Sequence, residues 1–383
     1  MNITTILASL FCILLLIDFR KFYIILLVIY SLITFRINIQ GLNLFTFIGI
    51  IAVFLFFIRY KINFKRLKEY PFHKASILII ASMCITTIFA QEKHIPSVIM
   101  NILITLFMPY IFWILLNQAP QKVIKIFTKA VLIYSFAICT YTLFELITKS
   151  NPFLEILDTW GLKEKVTYIT EIRYGLKRCQ SFFNMHTTLG GVCMSPLALF
   201  LFMRFRTYTP IKKEILNVII IMLILSILFT GARSAFISCL IVLLLCLNKQ
   251  SFTPQNVLLF ILCIFIITIF EFNYIYDFVN SIINSKAVEG SNSEMRLMQY
   301  SIALKYMLQS PIWGNGFNFI GEYIMKYFPD EIYGAESMWL SLMVDHGLIG
   351  VLAYIYLFYS INRFCKRTKN KELFFFLLGY YIF

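Results

Sequence analysis

The chain has 383 residues, of which 60% are hydrophobic, 17% aromatic and only 14% charged, and its mean hydropathy is +0.80. Soluble domains carry about 25% charged residues, so an ordinary soluble enzyme, a disordered protein and a nucleic-acid binder are all excluded. The net charge of +15 comes from basic clusters set between continuous apolar runs, which is the pattern of a polytopic helical membrane protein rather than of a β-barrel with alternating strands.

The apolar runs predict spans at 3–17, 22–35, 42–58, 75–90, 95–117, 123–147, 181–203, 214–230, 233–247, 255–271, 337–361 and 372–383. The expected fold is an all-α transmembrane bundle of about 11 to 12 helices. It divides into N-terminal membrane helices (1–147), a first outer loop (148–180), central membrane helices (181–271), a large outer loop (272–336) and C-terminal membrane helices (337–383). Loops on one side hold 21 basic residues, among them Arg59, Lys65, Arg66, Arg204, Lys213 and Arg367, against four acids: Asp18, Glu69, Glu214 and Glu372. The other side holds 13 basic and 15 acidic residues. The positive-inside rule puts the first set in the cytoplasm and both termini and both long loops outside it. Seven of the nine cysteines lie inside apolar runs, and none forms a CxxC or a metal-ligand spacing. They read as small packing residues.

No phosphate-binding loop, nucleophile elbow, zinc-protease or dinucleotide motif is present. The four histidines are scattered and form no ligand cluster, so no metal or cofactor is expected. Attention falls on ionisable residues at the outer ends of spans, since these are costly in lipid and functional when retained. Arg173, Lys177 and Arg178 close the first outer loop, with Asn184 and His186 just before a long apolar run. Thr230-Gly231-Ala232-Arg233 forms a tight outer turn, and Arg233, which cannot shed its charge, needs an anion there. Residues 294–309 read as an amphipathic helix with Glu294 in its first turn and Arg296 near its start. Pro311 ends that helix, and Gly314, Asn315 and Gly316 form a tight turn. Glu336 stands at the mouth of the span that follows, with Trp339 beside it. Asp345, nine residues on, is half a helical turn out of phase with Glu336 and is expected to pair with a neighbouring helix. Gly347 and Gly350 read as close helix packing.

These segments, in this order, resemble the O-antigen polymerase and O-antigen ligase family over about residues 175–360. The pattern runs from Arg178 to Asn184, through the Thr230 to Arg233 turn, to the helix from Arg296. It continues through the Pro311 to Gly316 turn to Glu336, eleven positions before Gly347-x-x-Gly350. The resemblance implies a multi-pass enzyme of the bacterial inner membrane. It implies transfer of sugars from an undecaprenyl-diphosphate-linked oligosaccharide to a sugar hydroxyl, outside the cytoplasm and without a metal. It assigns Arg178, Arg233 and Arg296 to the diphosphate and Glu336 to the acceptor hydroxyl. Asn184, His186, Asn315 and Trp339 are placed around the substrate. Partners implied are the lipid bilayer, a flippase and a chain-length regulator, with no nucleic acid. Ligases and many relatives carry His-Asn where this chain has Glu336-Ser337, and Glu there resembles capsule and exopolysaccharide polymerases. The competing readings are an O-antigen ligase, a flippase-type transporter of lipid-linked sugars, which would show paired repeats or broken helices in matching halves, and a structural partner in an envelope complex.

Overall fold

The computed structural model describes residues 3–29, 38–39, 42–60, 64–89, 95–159, 172–173, 176–183, 185–204, 210–246, 293–324 and 338–368. The expected spans at 255–271 and 372–383 lie outside the described residues. The described residues are mainly helical, with two short antiparallel pairings, Asn38–Ile39 (β1) with Leu42–Asn43 (β2) and Ile172–Arg173 (β3) with Leu176–Lys177 (β4).

The helices follow the apolar runs. They are α1 (Ile3–Ile17), α2 (Phe19–Ile29), α3 (Leu44–Tyr60), α4 (His73–Phe89), α5 (Ile95–Ile102), α6 (Met108–Gln118), α7 (Pro120–Thr148), α8 (Pro152–Thr159), α9 (His186–Arg204), α10 (Lys213–Phe229), α11 (Arg233–Cys246), α12 (Ser293–Gln309) and α13 (Met338–Arg367). A π-helical stretch, Leu103–Phe107, joins α5 to α6 so that Val98–Gln118 forms one span. Among the described residues, four stretches are long and apolar enough to cross a membrane: Val98–Gln118, Pro120–Thr148, His186–Arg204 and Trp339–Arg367. Exposed Leu16, Phe54, Ile133, Ile147 and Leu352 show the outward apolar faces of a membrane bundle.

Two interiors dominate. One is aromatic and lies among α1, α2, α3 and α6, where Phe19, Tyr23 and Phe56 are fully buried and stacked. The other lies among α7, α9, α10 and α11 around Cys139, Cys193, Leu197, Leu223 and Cys239. The cysteines here serve as small packing residues, and the described ones are free thiols. α9 begins at His186 rather than at 181, because residues 178–183 cross between neighbouring helices instead of coiling.

The expected span 337–361 is not one straight helix. Gly347 breaks α13 with φ 58 and ψ −160. A straight helix would separate Trp339 from Phe358 by about 28 Å at 1.5 Å per residue, yet their rings lie 5.7 Å apart. The two halves fold back on each other at Gly347. The half after the break, 348–367, is about 30 Å long, enough to cross the hydrocarbon core by itself. It packs on α4 through Ile79, Met83, Ala353 and Leu357.

Residues 311–316 fit into the break. Asn315 and Gly316 donate to the carbonyls of Val344 and Asp345 at 2.9 and 3.0 Å, and Leu348 and Ile349 donate to those of Pro311 and Ile312 at 2.9 and 3.3 Å. Each glycine is needed for the approach. A Cβ on Gly347 would lie 2.6 Å from the Gly314 nitrogen, and one on Gly314 would lie 2.2 Å from the Asp345 carbonyl oxygen. Gly347 therefore marks a break with a partner, not the helix-on-helix contact expected from its spacing. Gly347→Ala is expected to cost about 3 kcal/mol through its left-handed φ and the backbone clash. Thermal unfolding of the detergent-purified protein measures this against Gly49→Ala. The Cβ of that control meets only the flexible ends of Met108 and Leu103, at 3.1 and 3.6 Å, and little loss is expected.

Candidate functional site

Two groups of polar residues stand at helix ends and breaks. The first is built around the segment 177–181, which follows the β3–β4 hairpin and lies between the end of α7 and the turn joining α10 to α11. Cys179 donates its N–H to the Phe229 carbonyl at 2.9 Å. Arg178 donates its Nε to the Thr230 carbonyl at 3.1 Å and is buried. The Thr230 hydroxyl donates to Ile227 and accepts the Ala232 N–H, at 2.6 and 3.1 Å. Gly231 takes φ 62, and α11 starts two residues later at Arg233. The structure thus brings Arg178 to the turn that leads into Arg233, although 55 positions separate them in sequence.

Glu145, one turn before the end of α7, organises the same segment. Its Oε2 accepts the N–H groups of Gln180 and Ser181 at 2.9 and 2.7 Å. Its Oε1 pairs with Lys177 Nζ at 3.3 Å, with the two side chains 0% and 3% exposed. Asn151 donates to the Ser181 carbonyl at 2.9 Å while its Oδ1 accepts the Leu154 N–H that starts α8. Charged hydrogen bonds to buried backbone donors are among the stronger ones in a protein. Sequence reasoning passed over Glu145, although it is the sole acid in the run 123–147. An ionisable residue in a span was the signal that would have found it.

The second group surrounds the break in α13. The Asp345 carboxylate accepts the N–H groups of Asn318 and Phe319 at 2.9 and 3.0 Å, where a π-helical stretch, Ile320–Ile324, is about to begin. Asp345 was expected to meet a neighbouring helix; it holds the backbone after the Pro311–Gly316 turn instead. His346 is buried with its Nδ1 3.1 Å from the Thr86 hydroxyl of α4. Trp313 stacks on Phe89 at the end of α4, with centroids 5.5 Å apart.

The other sequence-predicted residues divide as follows. His186 opens α9 and is buried. Arg296 lies in the first turn of α12. Asn315 directs its amide Nδ2 to the carbonyls of Tyr306 and Val344 at 2.8 and 3.1 Å, so it braces the turn. Trp339 is half-buried against Phe358. Asn184 and Glu336 lie outside the described residues. α12 buries Gln299, Ala303 and Tyr306, but its outward side also carries Leu297, Tyr300, Leu304 and Leu308. A helix apolar on both sides suits a bilayer surface better than open solvent.

Residues 218–355 match the family model described as O-antigen ligase. That region holds most of α10, the Thr230–Arg233 turn, α12, the Pro311–Gly316 turn and the break at Gly347. No match to a curated protein and no match to a solved structure was found.

Replacing Asp345 separates its two hydrogen bonds. Asp345→Ala removes both acceptors from the Asn318 and Phe319 N–H groups and is expected to cost about 3 kcal/mol. Asp345→Asn retains one oxygen acceptor and is expected to lose about half as much. Melting temperatures of the purified variants order the three proteins, with Ala lowest.

Proposed function

From the O-antigen ligase match over residues 218–355 in a multi-pass helical membrane protein, we propose that this chain is a polysaccharide polymerase. It joins undecaprenyl-diphosphate-linked oligosaccharide repeat units on the outer face of the bacterial inner membrane. The observation that carries the reading is the Arg178 guanidinium seated on the Thr230 carbonyl, at the turn from which Arg233 starts α11. Two arginines brought to one outer helix end favour a phosphate-bearing group there, because guanidinium binds such oxygens in a forked geometry and stays charged.

A hydroxyl of the acceptor repeat unit attacks the anomeric carbon of the donor. The bond from that carbon to the diphosphate oxygen breaks, and the lipid diphosphate departs carrying the negative charge. Arg178, Arg233 and Arg296 stabilise that charge as it develops. Glu336 takes the proton from the attacking hydroxyl as general base. In-line attack inverts the anomeric centre. The donor is delivered by a flippase, and a chain-length regulator sets how long the polymer grows.

A ligase that moves finished polymer onto another lipid is the second reading. The description of the matching family model favours it. Glu336-Ser337, in the place where ligases carry His-Asn, favours the polymerase.

The test is a gel of surface polysaccharide from a deletion strain complemented with wild type or with Arg233→Ala. Wild type restores the long ladder. Arg233→Ala, expressed to the same level, is expected to leave a single-repeat band, or no capsule where single repeats are not displayed. Incorporation should fall about 100-fold, as for loss of one charge-stabilising donor. Polymer that forms but stays on its lipid carrier in the deletion strain would identify a ligase. A ladder unchanged by the deletion would overturn both enzyme readings and favour a transporter.

A further inference from the structure

The surface of α12 divides into three arcs. At about 100° per residue, Gln299, Ala303 and Tyr306 share one arc. They are buried, with Ala303 and Tyr306 packed in one cluster with Val344 of α13. Leu297, Tyr300, Leu304 and Leu308 share a second arc, about 80° wide, and its three leucines are more than half exposed. Ser301, Lys305 and Gln309 lie beside them on a third arc with Met298, and all are exposed. A helix in open solvent gains nothing by splitting its exposed surface into an apolar half and a mainly polar half. A helix at a bilayer boundary uses all three arcs: one for its own protein, one for lipid and one for water.

The apolar arc continues past the end of the helix. Ile312 lies four positions beyond Leu308, and both it and Trp313 are exposed. The Pro311 carbonyl accepts the Leu348 N–H at 2.9 Å, and the Ile312 carbonyl accepts that of Ile349 at 3.3 Å. Leu348, Leu352 and Ile355 form one exposed apolar face of the half of α13 that follows the break. Trp313 stacks on Phe89, where Ile88 is exposed at the end of α4. The arc therefore runs into the outward apolar surface of the bundle, at the point where the crossing half 348–367 begins. Since about 20 residues of helix span the hydrocarbon core, that point is a membrane boundary. Indole rings such as that of Trp313 settle at such boundaries.

We infer that α12 is seated on the bilayer surface, with Leu297, Tyr300, Leu304 and Leu308 among the acyl chains and Ser301, Lys305 and Gln309 toward water. The occupant of the apolar arc is lipid rather than another protein, because the arc continues a surface that already faces lipid. The seat also bears on the docked turn. Residues 311–316 follow α12 directly, so lipid holds one end of this segment and the break in α13 holds the other. The inference goes beyond the reaction proposed above and does not depend on it.

The experiment uses the wild-type protein in nanodiscs of phosphatidylcholine whose acyl chains carry a diazirine. After illumination, peptide mass spectrometry locates the lipid adducts. Adducts are expected on Leu297, Tyr300, Leu304 and Leu308, as on Leu352 and Ile355, and not on Gln299, Ala303 or Tyr306. A water-soluble acetylating reagent is expected to modify Lys305 in the same nanodiscs. The pair Leu304→Glu with Leu308→Glu should lower the adduct yield over 297–308 about tenfold, since charge on the apolar arc opposes seating. Ser301→Glu, on the polar arc, should leave that yield unchanged. Adducts on Leu352 and Ile355 report that each variant is folded in the bilayer.

Adducts on Leu352 and Ile355 with none on the α12 arc would overturn the inference. An arc that is labelled in nanodiscs holding one copy and protected in those holding two would make it an interface between copies, and would overturn it too. Acetylation of Lys305 only after the nanodisc is dissolved in detergent would remove the helix from the boundary. A yield from the double glutamate variant equal to that of wild type would overturn the role of the leucines.

Discussion

Buried backbone that leaves a helix must find its hydrogen-bond partners inside the protein, since an unpaired buried N–H or C=O is costly. At Gly347 the fold of α13 frees the carbonyls of Val344 and Asp345 and the N–H groups of Leu348 and Ile349. The Pro311–Gly316 turn satisfies all four. The rest of that corner follows from this exchange. Two backbones at such close range leave no room for a Cβ at 314 or 347. Once the turn is docked, the Asp345 carboxylate accepts the N–H groups of Asn318 and Phe319 just beyond it. Thr86 and Phe89 of α4 then meet His346 and Trp313, which ties an early helix to the late turn.

The α7 corner meets the same constraint by other means. Residues 178–183 run without helix or strand partners of their own. Here a carboxylate takes the place of a docked backbone, and Glu145 accepts from two consecutive residues. Asn151 donates to the Ser181 carbonyl, the Phe229 carbonyl accepts the Cys179 N–H, and the Thr230 carbonyl accepts the Arg178 side chain. The difference matters chemically. The docked turn adds no charge of its own, whereas Glu145 brings a carboxylate that pairs with the Lys177 ammonium.

Much of the fold was legible because lipid imposes long apolar runs. α3, α4, α7, α10 and α11 fall within a few residues of the expected spans. The end of the helix at Gln309 was marked by Pro311, which cannot continue a helix. The break at Gly347 was not legible. Gly-x-x-Gly in an apolar run is the pattern of close helix contact, and only a partner turn some 30 residues earlier turns it into a fold. Glu145 was overlooked because attention went to acids and arginines at span mouths. Its task depends on a segment 35 residues downstream. The link between Arg178 and Thr230 shows the reverse case: each motif stood out alone, and only tertiary structure joined them.

The docked turn also bears on how such a chain changes through descent. Four of its bonds with α13 run backbone to backbone and Asn315 adds a side-chain bond to Val344, so the length of the turn, its glycines and Asn315 are constrained. Loops of differing sequence can be exchanged on this scaffold provided that residues 311–316 travel together with the 344–349 stretch that receives them. The two short segments, 311–316 and 344–349, would act as a fixed socket.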